Sequence, residues 1–229
     1  GLKLDGVERT AKWRRLFRIE YEVFSHADTM RFGDQYFRSI QGWGYDDFTK
    51  LGLDESPNSH ILAGVHVDRL YRLGNCVVCH MGAEPCLTEK YGCPERFTLT
   101  LSADGDELRG DVAWYNKPAS RIPEGIWLSF DGGDGDMAVR KLGMWIDPRE
   151  TVRGGERSLH GTDFGARCGG IEVESPDCSL LTFGGGLWNF DNRVPVEGDP
   201  LRFCLYDNQW NTNFPFWYED DARFRFIIR

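Results

Sequence analysis

The stretch at residues 206–218 holds the residue types in this sequence that are best suited to bind a ligand. Its candidate binding residues are Trp210, Asn211, Asn213, Trp217 and Tyr218. The apolar face of a sugar ring stacks on an aromatic ring, while amides and carboxylates hydrogen-bond the sugar hydroxyls. The stretch therefore predicts a carbohydrate contact, although the same rings are equally suited to close one end of a hydrophobic core.

A second aromatic cluster, at residues 43–48, is shorter and more acidic. It combines rings with carboxylates, and it adds Trp43 and Asp47 to the candidate carbohydrate-binding residues. The two clusters are far apart in the sequence, so a shared site requires a fold that brings them together.

Cys76, Cys79 and His80 form the C-x-x-C-H pattern that attaches a c-type haem. Haem attachment would require both thiols on one side, whereas residues three apart in an extended strand face opposite ways. Zinc is a second interpretation, with Cys86 and Cys93 added, but the first cysteine pair alone has the usual spacing of a zinc site. The residue pattern favours buried thiols or a local disulfide.

Two further patterns, an acidic loop and a single histidine, give weak evidence of a metal site or a catalytic site. Residues 131–136 resemble a calcium loop, but Gly133 occupies a ligand position and no glutamate closes the loop, so a tight acidic turn is favoured. His160 lacks a nucleophile motif nearby and is expected to be a structural hydrogen-bonding residue. No catalytic residue, metal ligand or cofactor is predicted in this chain.

Composition restricts the class of partner. The 229 residues carry a formal net charge of −9, which argues against nucleic acid because a phosphate backbone favours a basic surface. No run of 18 apolar residues is present, so no membrane span is predicted. Seven cysteines are too few for a disulfide scaffold and leave the compartment open.

Short alternating segments predict the elements that must position these residues. Phe17, Ile19, Tyr21 and Val23 alternate with polar residues, as in a strand with one solvated face. The further strand candidates are residues 64–73, 75–81, 96–103, 107–116, 125–130, 138–146, 170–174, 179–183, 201–206 and 222–228. Asp104-Gly105 predicts a hairpin turn between two of these strands.

One short helix is predicted near the start of the chain. Ser25 is a suitable N-cap, and Gly42 is a suitable C-terminal stop. About ten strands with frequent turns predict a mainly all-β fold, an antiparallel β-sandwich with a short helical insertion near the N-terminus. The prediction is one domain over residues 1–229.

Several blocks resemble α-mannosidase-like glycoside hydrolases of a branch related to family 38. Residues 206–218, with the Arg-Phe-Arg-Phe run at 223–226, resemble the end of such enzymes. The other similar blocks are residues 17–25, 43–52, 141–148 and 159–161. The resemblance implies that this chain is the C-terminal β-sandwich portion of a larger enzyme.

The resemblance also implies partners. In these enzymes the catalytic carboxylates and zinc ligands lie in an N-terminal α/β domain, so zinc is expected in a partner catalytic domain and not in this chain. The expected partners are a catalytic-domain chain of the same enzyme, which would complete the sheets, and a carbohydrate. The alternatives are a stand-alone lectin-like carbohydrate-binding module and a structural assembly subunit.

Overall fold

The computed structural model describes residues 3–4, 7–8, 16–37, 39, 44, 47–131, 133, 135–151, 159–188, 190–211 and 215–229. Its strands are β1 (Lys3–Leu4), β2 (Val7–Glu8), β3 (Arg18–Val23), β4 (Ile61–Gly64), β5 (His66–Leu73), β6 (Cys76–Gly82), β7 (Arg96–Asp104), β8 (Glu107–Lys117), β9 (Glu124–Phe130), β10 (Met137–Lys141), β11 (Met144–Ile146), β12 (Leu159–Gly161), β13 (Gly165–Cys168), β14 (Ile171–Glu174), β15 (Leu180–Phe183), β16 (Leu201–Asp207) and β17 (Asp220–Ile228).

Two antiparallel sheets form a β-sandwich, which confirms the predicted fold class. In the described part of the chain, the larger sheet has nine strands in the order β11-β10-β13-β14-β17-β8-β7-β6-β5. The smaller sheet has six in the order β12-β15-β16-β9-β3-β4, and β1 pairs with β2 separately. The chain crosses between the two sheets several times, including at the connection from β16 to β17.

Each predicted strand overlaps an observed one, and the turns explain the differences in their bounds. The predicted strand at 138–146 divides into β10 and β11, because Leu142 and Gly143 form a turn with φ of 51° and 79°. The predicted hairpin is present: Asp104 pairs with Glu107, so the loop has two residues, and Gly105 supplies a φ of 60°.

Helix α1 (His26–Tyr36) begins where the sequence predicts. Asp28 N donates to Ser25 Oγ over 3.3 Å, and Ser25 N donates to the Asp28 carboxylate over 2.7 Å, which completes a capping box. The predicted end at Gly42 is wrong. The helix ends at Tyr36 because Phe37 adopts an extended backbone and packs its ring 4.7 Å from that of Phe48.

A second α-helix, α2, spans Pro85–Lys90. Short 3₁₀ turns lie at Pro148–Glu150 and Phe190–Asn192. None of the helices in the described ranges is both long and apolar enough to cross a membrane.

The core between the sheets is strongly aromatic. Tyr21, Trp114, Phe130, Phe203 and Phe226 are all almost fully buried. The rings of Phe203 and Phe226, from opposite sheets, meet edge to face with centroids 5.3 Å apart. A smaller cluster, centred on the tryptophans at 127 and 188, lies outside this core. Much of the aromatic content therefore fills the sandwich and is not available to a ligand.

Candidate functional site

A cavity of about 370 Å³ lies at the connection from β16 to β17. This connection leaves the smaller sheet and enters the larger one. The cavity is lined by Tyr206, Asp207, Asn208, Trp210, Pro215, Trp217 and Tyr218. We refer to it as the aromatic cavity.

The rings of this cavity are fixed by neighbours and still reach solvent. Trp217 and Tyr218 are each 37% exposed. The Arg121 guanidinium lies 4.6 Å from the centre of the Trp217 ring, and the Tyr218 ring lies 5.9 Å from that of Tyr206. Trp210 packs edge to face on Phe48 with centroids 5.6 Å apart. These contacts hold the rings in place while leaving apolar surface at the opening.

Asp207 supplies a carboxylate to the cavity wall. Burial raises its pKa, and a backbone hydrogen bond from Gln209 opposes that rise. The neighbouring Asn208 is occupied by structure: its Oδ1 accepts from Glu124 N over 2.8 Å, and its Nδ2 donates to Ser120 O over 2.9 Å. The carboxylate of Asp207 has more acceptor sites than its bonds from Gln209 and Cys204 use, so Asp207 is the better placed of the two to accept a hydrogen bond from a ligand.

Lys50 ties the two described halves of the connection together. Its ammonium group donates to the backbone oxygen of Trp210 over 2.8 Å and to that of Phe216 over 2.9 Å. Burial lowers the pKa of Lys50 to about 8, while Asp207 and Glu124 attract the charge and oppose the change. One buried cation thus fixes the backbone on both sides of the aromatic cavity.

A buried ion pair supports the wall from behind. Lys117 Nζ lies 2.6 Å from Glu124 Oε1, and both side chains are inaccessible to solvent. Tyr206 donates its hydroxyl to the same oxygen over 3.2 Å, and Tyr21 donates to the second carboxylate oxygen. Burial raises the pKa of Glu124, and its hydrogen-bond donors oppose that rise. The Tyr206 ring is consequently held in one orientation by charged groups in the core.

The structure places the predicted binding residues in three groups. Trp210, Trp217 and Tyr218 line the aromatic cavity. Asn211 and Asp47 do not line it, but Asn211 N donates to the Asp47 backbone oxygen over 3.4 Å, so the two predicted clusters do meet. Trp43 and Asn213 lie outside the described residues.

Several residues that build this site are not among the binding residues predicted from the sequence. Tyr206 and Asp207 lie at the end of a predicted strand, and Pro215 belongs to the same aromatic stretch, so the signal available for these three residues is local. Lys50 and Arg121 carried no signal, because each joins the site from a distant part of the sequence.

The cysteine motif does not form a haem attachment site. Cys79 is buried while His80 next to it is exposed, as expected for neighbours on opposite faces of β6. Cys76 lies on the face of His80, so the two thiols point to different sides. All seven cysteines are free thiols, and within the described residues no group of three or more His, Cys, Asp or Glu is arranged to hold a metal ion.

No protein-family model and no curated protein sequence matches the chain. Among solved structures, one described as "Crystal Structure Analysis of HI1317" aligns with 72% of this chain at 9% identity and a TM-score of 0.36. The chain covers 64% of the length of that structure. A similarity this distant carries no argument about function.

Proposed function

We propose that the aromatic cavity binds a carbohydrate, and that the chain is the accessory β-sandwich part of an α-mannosidase-like glycoside hydrolase. The observation that carries the first half is the grouping of Trp210, Trp217 and Tyr218 around the half-buried carboxylate of Asp207. The resemblance of the sequence blocks to that enzyme family supports the second half.

The chemistry of the cavity suits a neutral sugar. The exposed parts of the Trp217 and Tyr218 rings offer apolar surface to the C–H face of a pyranose, and Asp207 can accept a hydrogen bond from a hydroxyl. Arg121, beside Trp217, can donate one. The volume of about 370 Å³ lies at the small end of the range typical of ligand sites.

The cavity suits binding better than hydrolysis. Most glycosidases place two carboxyl groups across the bond that is cleaved. The described lining holds one acidic residue, Asp207. We therefore assign the cleavage chemistry to a catalytic domain carried by another chain or segment, and sugar contact to this chain.

Titration of the chain with mannobiose, followed by calorimetry and tryptophan fluorescence, tests the sugar site. Trp217→Ala should weaken binding about tenfold, since a lost stacking contact costs about 1.4 kcal/mol. Trp145→Ala is the matched control, because Trp145 also carries an arginine over its ring, with Arg167 Cζ 3.9 Å from the centroid, but does not line the cavity. It should leave binding unchanged.

Two results would contradict the sugar site. One is the absence of mannobiose binding by the unaltered chain. The other is a Trp217→Ala variant that binds normally but unfolds at a lower temperature, which would show that the ring serves the core.

The assignment to a larger enzyme has its own test. Native mass spectrometry of the chain from its natural source should show a mass above 26.2 kDa, with a second polypeptide that carries the catalytic carboxylates. Mannoside binding by a 26.2 kDa species with nothing associated would favour the lectin-like module instead.

A further inference from the structure

A second cavity, of about 840 Å³, lies over the nine-stranded sheet and shares no lining residue with the aromatic cavity. The side chains and backbone that line it belong to Asp68, Arg69, His80, Met81, Arg96, Phe97, Thr98 and Tyr115. Most of these residues are polar. We refer to this cavity as the outer groove.

Strand register explains why these side chains meet. Arg69 pairs with His80, His80 with Thr98, and Thr98 with Ala113, so the four residues form one row across β5, β6, β7 and β8. Directly paired residues point to the same side of a sheet. The row lies on the solvent side, because the adjacent residue Cys79 is buried in the core.

A glycine makes room in the next row. Gly82 pairs with His66 on one side and with Arg96 on the other. A Cβ at Gly82 would lie 2.8 Å from Asp68 Oδ2 and 3.3 Å from His66 Nε2, so any side chain there would displace them. Its absence lets Asp68 lie across the sheet, where His66 Nε2 is 3.1 Å from Asp68 Oδ1.

The charged groups around the outer groove leave the guanidinium of Arg69 available to bind an anion. Arg69 is exposed on the edge strand, beside Tyr71 and Asp68, and it forms no ion pair with a carboxylate of the described residues. Arg96 is 80% exposed, with its Nε 3.5 Å from Glu95. The groove thus combines two exposed guanidinium groups with the hydroxyls of Thr98 and Tyr115.

We propose that the outer groove is a binding site for an acidic saccharide, with a uronic-acid carboxylate on Arg69 and Arg96. A guanidinium binds a carboxylate through two parallel hydrogen bonds, which fixes the orientation of the sugar. His80, Thr98 and Tyr115 then face the hydroxyl groups along the same side of the sheet. The volume of about 840 Å³ gives space for more than one sugar ring.

Calorimetric titration of the full chain with trigalacturonate tests the site, with the fully methyl-esterified trisaccharide as the uncharged match. The acid should bind, and the ester should bind at least about tenfold more weakly, because it has lost its charge-assisted hydrogen bonds. Arg69→Gln should weaken binding of the acid about tenfold.

Arg72→Gln is the matched control. Arg72 is an exposed arginine of the same strand, but it pairs with Val77 and so points to the opposite side of the sheet. It should bind trigalacturonate as the unaltered chain does. Trp217→Ala should also bind it normally, which separates this site from the aromatic cavity.

Four results would each overturn the proposal. They are no binding of trigalacturonate, equal binding of acid and ester, equal losses in the Arg69 and Arg72 variants, and displacement by inorganic phosphate at the concentration of the saccharide. The last would show that the arginines bind any anion. Both arginines are exposed, so melting temperatures of the variants should match that of the unaltered chain.

Discussion

His60 bridges two carboxylates beside the N-terminus of α1. Its Nε2 lies 3.4 Å from Glu22 Oε1, and its Nδ1 lies 3.3 Å from Asp28 Oδ2. Glu22 also accepts the indole N–H of Trp127 over 2.7 Å, so the imidazolium connects the helix cap to the smaller aromatic cluster. The hydrogen bond to Asp28, followed by that to Glu22, raises the pKa of His60 to about 9.

This cluster predicts a pH-dependent stability. Because the pKa of His60 is higher in the folded state than the ordinary 6.5, its contribution is complete below pH 6.5 and is lost as pH rises to about 9. The side chain is 38% exposed, so solvent screening reduces the effect to the order of 1 kcal/mol.

His60→Gln should therefore be less stable than the unaltered chain at pH 5.5 and equally stable at pH 9.5. Urea unfolding at the two pH values measures the difference in free energy of unfolding. A difference that is the same at both values would show that the charge on His60 contributes nothing.

The residues that predict sugar contact could be chosen from the sequence, because Trp, Tyr and Asn in one short stretch are a local signal. The groups that hold them could not. Lys50 reaches the backbone of Trp210 from 160 residues away, and Tyr21 reaches Glu124 from 103 residues away. Nothing in the local pattern around a lysine or a strand tyrosine indicates such a partner.

The close approach of β13 and β14 depends on a single glycine, Gly165. Gly165 pairs with Glu174, and a Cβ at this glycine would lie 2.0 Å from the backbone oxygen of Val173. Backbone cannot move aside as a flexible side chain can, so the two strands approach this closely because position 165 has no side chain.

Gly165→Ala should destabilise the fold by about 3 kcal/mol, since the added methyl group forces the two strands apart. Gly161→Ala in β12 is the matched control, because a Cβ there meets nothing within 4 Å. Thermal unfolding of both variants measures the effect, and similar melting temperatures for the two would contradict the steric argument.

Alternation of apolar and polar residues is a sufficient signal for the long strands and an insufficient one for the short strands. The alternating residues 96–103 predict a strand, and the observed β7 spans Arg96–Asp104. β12 and β13 have three and four residues and include glycine, arginine and cysteine, so they carry no pattern. The end of α1 was also misplaced, because a packing contact of Phe37 ends the helix before the glycine stop.

Among the described strands, the edges of the larger sheet are β5 and β11, and those of the smaller sheet are β4 and β12. β5 is the most exposed of these, since all eight of its residues are exposed. Leu70 is 63% and Leu73 is 66% exposed, on opposite faces of the strand. An edge strand with exposed apolar side chains is a template for pairing with another chain.

Leu70→Lys should therefore reduce self-association of the purified chain at high concentration, with a change in unfolding free energy within about 0.5 kcal/mol. Light scattering coupled to gel filtration measures the mass as a function of concentration. If the unaltered chain and the variant have the same mass at every concentration, the edge of β5 does not mediate self-association. A loss of stability in the variant would show that the Leu70 side chain stabilises the folded chain instead.

The free cysteines of this protein can report its opening motions, because they differ in their exposure to solvent. Cys86 is exposed, whereas burial raises the pKa of Cys168 to about 11 and that of Cys178 to about 12, which keeps these thiols protonated at neutral pH. A thiol reagent then labels the surface of α2 at once and reaches the interior at the rate at which the sheets separate. The order of labelling along the chain would time the opening of each layer without any engineered probe.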